Sequence, residues 1–256
     1  MPEFSANLST MFCEHALIDR PRAAAEAGFR AVEIQFPYEL ACEGLAAEIE
    51  RHSLAVSVIN VPCGDFVAGG EGNAALPGRV DDFHESVALA AEYAAGLGAE
   101  KVNILAGTPS IDRETVETTL AANLRHAATV FAGLGIGVVV EAINDIDRAG
   151  FFLTTPRAVI DIMDRADHAN LALQFDLYHM AMMGLPLVET YQHYADRIGH
   201  IQFADAPGRH EPGTGAIDFG PIFAAIDASN YQGWVAAEYF PQNDTTDGLG
   251  WLETYR

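Results

Sequence analysis

Basic residues are scarce: 14 Lys and Arg stand against 36 Asp and Glu in 256 residues, a formal net charge of −22 with histidine neutral. Nucleic-acid binding relies on clustered Lys and Arg that release counterions from the phosphate backbone, so this composition argues against such a partner. The acidic excess otherwise speaks for solubility and says little about a substrate. Long apolar runs are missing as well. No stretch of about 18 apolar residues is available to span a bilayer, and the N-terminus shows no basic-then-apolar leader. The chain therefore reads as soluble and cytoplasmic, with no membrane partner. Cysteine is sparse: Cys13, Cys42 and Cys63 are odd in number, widely spaced and form no CxxC. That pattern fits a reducing compartment and packing roles better than a disulfide framework. Phosphate-binding loops are absent too. The glycine-rich stretch from Val61 to Val80, VPCGDFVAGGEGNAALPGRV, matches neither GxGxxG nor GxxxxGK[ST]. It is long for a connection inside a compact domain, and a lid over an active site is the expectation for it.

What is present is alternation. Strand-like runs recur at FSANL, AVEIQF, AVSVIN, KVNILAG, GVVVE, LALQF, GHIQF and WVAAEY, eight in all, with helix-like stretches between them. From Asp112 to Gly133 the helical period is plain: Val116, Leu120, Leu124, Ala127 and Phe131 step by three or four behind an acidic first turn. Thr155 before Pro156 reads as a cap and first helical residue, and Asp218 before Pro221 opens another helix. Alternating β and α implies a parallel sheet, and roughly 250 residues is the usual length of a closed eight-fold barrel. The expected fold is α/β, a single-domain (β/α)8 TIM barrel over residues 1–256, in preference to an open doubly wound sheet. No repeat, low-complexity tract or linker divides the chain.

Four oxygen-bearing side chains, Glu141, Asp176, Gln202 and Glu238, close the runs GVVVE, LALQFD, HIQF and WVAAE, about one strand-helix unit apart. Barrel active sites are built at the C-terminal ends of strands, so these groups are expected to converge there. Carboxylate and amide oxygens are hard ligands that suit Mg2+ or Mn2+ better than zinc, whose sites draw on His or Cys. Without a cation, three carboxylates around one point would raise one another's pKa values. Nearby lie His179, three residues after Asp176, and Arg209, His210 and Glu211 shortly after Gln202. His84 and His210 read as structural or supporting, Met180, Met182 and Met183 as packing, and the remaining histidines show no ligand spacing.

The segments NLSTMF, FPYE, CGDFVAGG, ALPGR, DLYHM, HIQFADAPGRHEPGTG, YQGWVAAEY and GLGWL resemble the hydroxypyruvate isomerase family, a branch of the xylose-isomerase-like barrels. The likeness covers nearly the whole chain, and ADAPGRHEPGTG is highly specific. The resemblance implies a divalent metal held by Glu141, Asp176, Gln202 and Glu238, with Glu141 and Glu238 also serving as the acid/base pair. It further implies that His179 and Arg209 contact substrate oxygens. A metal that chelates a carbonyl and an adjacent hydroxyl stabilises an enediolate while flanking carboxylates move a proton between neighbouring carbons. The implied reaction is isomerisation of an α-hydroxy aldehyde and the matching ketone, most directly tartronate semialdehyde and hydroxypyruvate, or a related 2-oxo-tetronate. The partner is then a small hydroxy-carbonyl or sugar substrate, and a homo-oligomer is compatible with this reading.

Three other readings stay open at this stage. The same geometry serves epimerisation of neutral ketoses, as in a tagatose 3-epimerase-like enzyme. Two departures from the family pattern favour it: Ile146 stands where an Arg is expected after the fifth strand, and Phe240 follows the final Glu-Tyr in place of a Lys or Arg. Arg148 is the nearest cation to the first of these, its register shifted by two. An abasic-site endonuclease shares the barrel but needs several zinc ions and a basic face. A non-catalytic sugar-binding protein would have no use for paired acids on a metal.

Overall fold

All eight strand-like runs form strands, and they pair in parallel in chain order into a closed barrel: β1 (Glu3–Asn7), β2 (Ala31–Ile34), β3 (Ala55–Asn60), β4 (Ala99–Ile104), β5 (Gly137–Glu141), β6 (Leu171–Asp176), β7 (Ile198–Phe203) and β8 (Trp234–Ala237), with β8 returning to β1. The computed structural model describes residues 2–255; Met1 and Arg256, the ends of the expected domain, lie outside the described residues. Helices α1 (Arg20–Glu26), α2 (Cys42–Arg51), α3 (Val80–Leu97), α4 (Arg113–Ala132) and α5 (Pro156–Ala166) connect the first strands. The short α6 (Leu177–Met182) and α7 (Leu187–Tyr194) follow β6, α8 (Phe219–Asp227) precedes β8, and α9 (Gly250–Thr254) closes the described chain. The capping signals in the sequence are used as written. The Asp112 carboxylate accepts the Thr115 N–H, Thr155 Oγ1 the Ala158 N–H, and Asp218 the Gly220 N–H.

The strand period of two decides what faces the barrel axis. Val138 and Val140, Leu173 and Phe175, Ile201 and Phe203, and Val235 and Ala237 all belong to the apolar layer between sheet and helices. Their alternates therefore point inward: Glu141, Gln174 and Asp176, His200 and Gln202, and Glu238 just beyond β8. Register then sets their heights, since Glu141 pairs with Gln174, Asp176 with Gln202, and Gln202 with Ala236. Glycine is required where the register of β7 shifts against β6. A Cβ on Gly199 would lie 2.6 Å from Ala172 Cβ and 3.1 Å from Val139 Cγ1.

The stretch from Val61 to Val80 is ordered and anchored at many points. Asp65 accepts the Gly72 N–H at 3.0 Å and an Arg79 N–H at 2.9 Å, and Asn123 donates to the Ala74 carbonyl at 2.8 Å. Glu71 accepts both the backbone N–H and the hydroxyl of Ser110. Only its leading part reaches the barrel mouth, where Phe66 is buried and Val67 is exposed. Its leading part is thus a wall of the mouth, and the segment is fastened both internally, through Asp65 and Arg79, and to Ser110 and Asn123 outside it.

Closure of the barrel is reinforced by aromatic packing. Trp251 of α9 meets Phe4 of β1 and Phe203 of β7, each with ring centroids 5.2 Å apart and nearly perpendicular planes. Its indole N–H donates to the Tyr239 hydroxyl at 3.1 Å, just after β8. One side chain so links both edges of the seam. Trp251→Ala is expected to lower unfolding free energy by about 3–5 kcal/mol in denaturant titration; a change within ~0.5 kcal/mol would show that the seam holds without it.

Candidate active site

Each of the strand-end side chains is placed by its strand and fixed by a polar neighbour. Glu141 ends β5, and its Oε2 accepts from Asn103 Nδ2 of β4 at 2.9 Å. Asp176 ends β6 and caps α6, its Oδ1 accepting the Tyr178 N–H at 2.8 Å. Its other oxygen, Oδ2, is buried without any hydrogen bond. One turn along α6, His179 Nε2 lies 3.4 Å from that oxygen and 3.6 Å from Glu141 Oε1. Across the mouth Glu238 accepts from Gln35 Nε2, and the Arg209 guanidinium sits 3.1 Å from Glu238 Oε1 and 3.6 Å from Asp176 Oδ2. Glu141, His179, Arg209 and Glu238 line a cavity of about 160 Å³, with Phe66 and Val67 on its outer wall.

Gln202 lies beside Asp176 in register but does not line the cavity. Its Nε2 donates to Glu33 Oε1 at 2.6 Å, and its Oε1 accepts from Gln174 Nε2 at 2.6 Å. Glu33 also accepts from Asn7 Nδ2 and His200 Nε2, both at 2.7 Å. Both ends of the Gln202 amide are thus engaged inside the barrel, the nitrogen by Glu33 and the oxygen by Gln174, which takes one of that oxygen's two lone pairs.

The proton on His179 can be placed from its neighbours. Asn144 Oδ1 accepts the backbone N–H groups of Ile146 and Asp147, at 3.1 and 2.8 Å, so Asn144 Nδ2 is the group that meets His179 Nδ1 at 2.7 Å. An amide nitrogen only donates, so Nδ1 accepts and the ring proton sits on Nε2, facing the carboxylates. Burial keeps the ring neutral, pulling its pKa down to about 4. Among His, Cys, Asp and Glu of the described residues, Glu141, Asp176 and His179 bring ligand atoms within 4.8 Å of one another. The tautomer makes His179 a donor to an oxygen in this group.

Electrostatics follow from crowding. Burial, then the charges of Glu238 and Asp176, hold the Glu141 carboxyl well above its usual range. Glu238 is pushed up from an ordinary 4.5 to about 8, first by burial and then by Asp176 and Glu33, against the pull of Arg209. Burial disfavours the Arg209 charge, but Glu238, Asp176 and Glu141 outweigh it and keep the guanidinium protonated. Three buried carboxylates, one of them with an unpartnered oxygen, and the Gln202 amide oxygen on the neighbouring strand make an oxygen donor set that fits a hard divalent ion.

The loop ADAPGRHEPGTG, which follows β7, is built around Asp205. Its carboxylate accepts the backbone N–H groups of Ala206, Gly213, Gly215 and Ile217. A Cβ on Gly215 would fall 2.5 Å from the Ala206 carbonyl oxygen, which explains glycine there. Arg209 takes a left-handed backbone (φ 57°), unusual for a residue with a side chain and typical of strained functional positions. Its carbonyl accepts the Phe240 N–H at 2.9 Å, tying the loop to the end of β8.

The structure therefore gathers Glu141, Asp176, His179, Arg209 and Glu238 at one mouth, with Gln202 beside Asp176 in register. Met180 is wholly buried in the core, in keeping with a packing role. Sequence reading missed Glu33, Asn103, Gln174, Asn144 and Asp205, which orient the site. For the first three a signal existed, a polar residue set within an apolar strand run. Ile146 and Phe240 are 63% and 50% exposed at the rim, while Arg148 lines the cavity itself.

Residues 21–255 match the family model described as xylose isomerase-like TIM barrel. The chain belongs to that family. It is 43% identical to hydroxypyruvate isomerase of Escherichia coli strain K12 over 258 residues, covering 100% of both chains. It is 40% identical to 2-oxo-tetronate isomerase of Cupriavidus necator over 257 residues, covering 100% of this chain and 99% of the other. Among solved structures it superposes on a protein of Brucella melitensis described as AP endonuclease, family 2, with TM-score 0.96, 38% identity and full coverage of both chains. This places the chain in the hydroxypyruvate isomerase branch of the barrels, and it is an isomerase.

The raised carboxylates set a pH dependence. Between about 4.5 and 8, folded Glu238 keeps a proton that the unfolded chain releases, so the stability of metal-free protein falls as pH rises through that window. Thermal melts of chelator-treated protein from pH 5 to 8 are expected to show this fall, and Glu238→Gln to flatten it. An equally steep fall in the variant would contradict the assignment.

Proposed function

We propose that this isomerase interconverts an α-hydroxy aldehyde and the matching ketone of a short 2-oxo acid, hydroxypyruvate with tartronate semialdehyde or a 2-oxo-tetronate with its isomer, using Mg2+ or Mn2+. The observation that carries the reading is the pair Glu141 and Glu238, two buried carboxyls with raised pKa values lining one small cavity together with His179 and Arg209. The names of the full-length relatives support the substrate class.

Glu141, Asp176, Gln202 and Glu238 would hold the ion, which when bound supplies polarisation of the substrate's carbonyl and adjacent hydroxyl. The protein's own groups do the rest. One of the two glutamates removes a proton from the hydroxyl-bearing carbon, and a proton is returned to the neighbouring carbon, while the hydroxyl proton passes from one oxygen to the other. A carboxyl whose pKa lies near neutrality suits both directions of this transfer. His179 Nε2–H and the Arg209 guanidinium donate to the oxygens on which negative charge develops. The apolar wall of Phe66 and Val67 limits water.

A second reading, epimerisation of a neutral ketose, is favoured by the exposed apolar Ile146 and Phe240 where cations were expected. Nothing in the charge of the chain favours a nucleic-acid substrate: the excess of acid over base is 22. We place the protein in the cytoplasm, in keeping with Cys13, Cys42 and Cys63 all being free.

Glu141→Gln and Glu238→Gln are each expected to lower kcat about 10²–10⁴-fold with an unchanged circular dichroism spectrum. Wild-type turnover in either variant would refute its role in proton transfer. Conversion of neutral ketoses alone in a substrate panel would establish the second reading instead.

A further inference from the structure

In so acidic a chain an uncommitted cation is rare. Among the described residues, Arg20 and Arg125 donate to backbone carbonyls, and the other Lys and Arg, with one exception, face a carboxylate within 4.0 Å. The exception is Arg148. Among the described residues its guanidinium has no carboxylate or carbonyl partner; it stands 5.7 Å above the ring of Phe66, and the residue lines the active-site cavity.

The backbone beneath it is not loose. The Arg148 N–H donates to the Asn144 carbonyl and the Arg148 carbonyl accepts the Phe151 N–H at 3.0 Å. Asn144 is the residue that fixes the His179 tautomer, so Arg148 and the catalytic mouth share one support. Phe66 is held in turn against Phe151, ring centroids 5.6 Å apart. A guanidinium laid on a fixed aromatic face keeps its edge free for a planar anion, which it can meet with two parallel N–H donors. Arg209 is not available in the same way, because Glu238 and Asp176 already occupy it. Ile146 supplies no charge, and it points out to solvent at 63% exposure.

We infer that Arg148 is the specificity-determining residue of this enzyme, gripping the substrate carboxylate next to the reacting carbons and selecting short 2-oxo acids over neutral ketoses. The inference rests on the isomerase reading above and deepens it: the cation missing from position 146 is provided two residues later, from the same loop.

The test uses full-length protein loaded with Mn2+ and three probes: hydroxypyruvate; dihydroxyacetone, which replaces the carboxylate with a hydroxymethyl group; and tartronate, an unreactive hydroxy diacid. Arg148→Gln is expected to raise KM for hydroxypyruvate about 10- to 100-fold with kcat within a few-fold, to weaken tartronate binding in calorimetry by a similar factor, and to leave KM for dihydroxyacetone unchanged. Arg148→Lys, which keeps the charge but loses the fork, is expected to recover part of the loss. Equal losses on charged and neutral probes, or unaltered tartronate binding, would overturn the assignment. Failure of the wild-type protein to convert hydroxypyruvate would count against the substrate reading alone, since the tartronate titration still reads Arg148.

Discussion

Three carboxylates, Glu141, Asp176 and Glu238, are buried at one mouth of the barrel, and among the described residues Arg209 is the one guanidinium within ion-pair distance of them. Everything distinctive about the site follows from that imbalance. Desolvation and mutual repulsion hold protons on Glu141 and Glu238 at pH values where carboxylates are ordinarily ionised. The same imbalance leaves Asp176 Oδ2 without a hydrogen bond, in a protein whose other buried polar atoms are mostly partnered. A divalent ion would resolve both, and removing it would leave the protons to do so.

The barrel makes this arrangement tolerable. Its strands place apolar side chains outward under the helices and polar ones inward, so a charged layer can be assembled at the axis without disturbing the core. Beneath the mouth the polar interior is closely paired: Glu33 accepts from Asn7, His200 and Gln202, and Gln174 donates to Gln202. This network holds the Gln202 amide at both ends, while Asn103 and Asn144 steer Glu141 and His179 from the side. The loops add what strands cannot. Asp205 gathers four backbone N–H groups and so carries Arg209 over the acids, and the loop after β5 brings Arg148 to the rim.

Much of this was legible in the chain before folding. Period-two runs such as GVVVE and AVSVIN coincide with their strands to the residue, and Asp112, Thr155 and Asp218 cap the helices they announce. A polar residue closing an apolar run can be noticed without any structure, which is why Glu141, Asp176 and Glu238 stood out. Glu33 and His200 stand out as polar residues inside their runs, but their pairing could not be read, because the partners lie 26 to 169 residues apart and only register brings them together. The Val61–Val80 stretch illustrates the same limit. Its glycines suggest freedom, yet Asp65, Arg79, Glu71 and Asn123 fasten it through contacts that composition does not reveal. Nor could counting from the family pattern show that a cation displaced by two residues still reaches the cavity.

The relatives give the fold and the class of reaction, and the residues give the particulars: a neutral His179 that donates, an amide oxygen beside Asp176, and two acids held above their ordinary range. All of these are arranged about one place where positive charge is lacking. The most direct test of that claim is anomalous diffraction from crystals soaked in Mn2+, recorded at the manganese edge. The account expects a single strong peak between Glu141, Asp176, Gln202 and Glu238. Peaks confined to surface acids, with none at the barrel mouth, would contradict it.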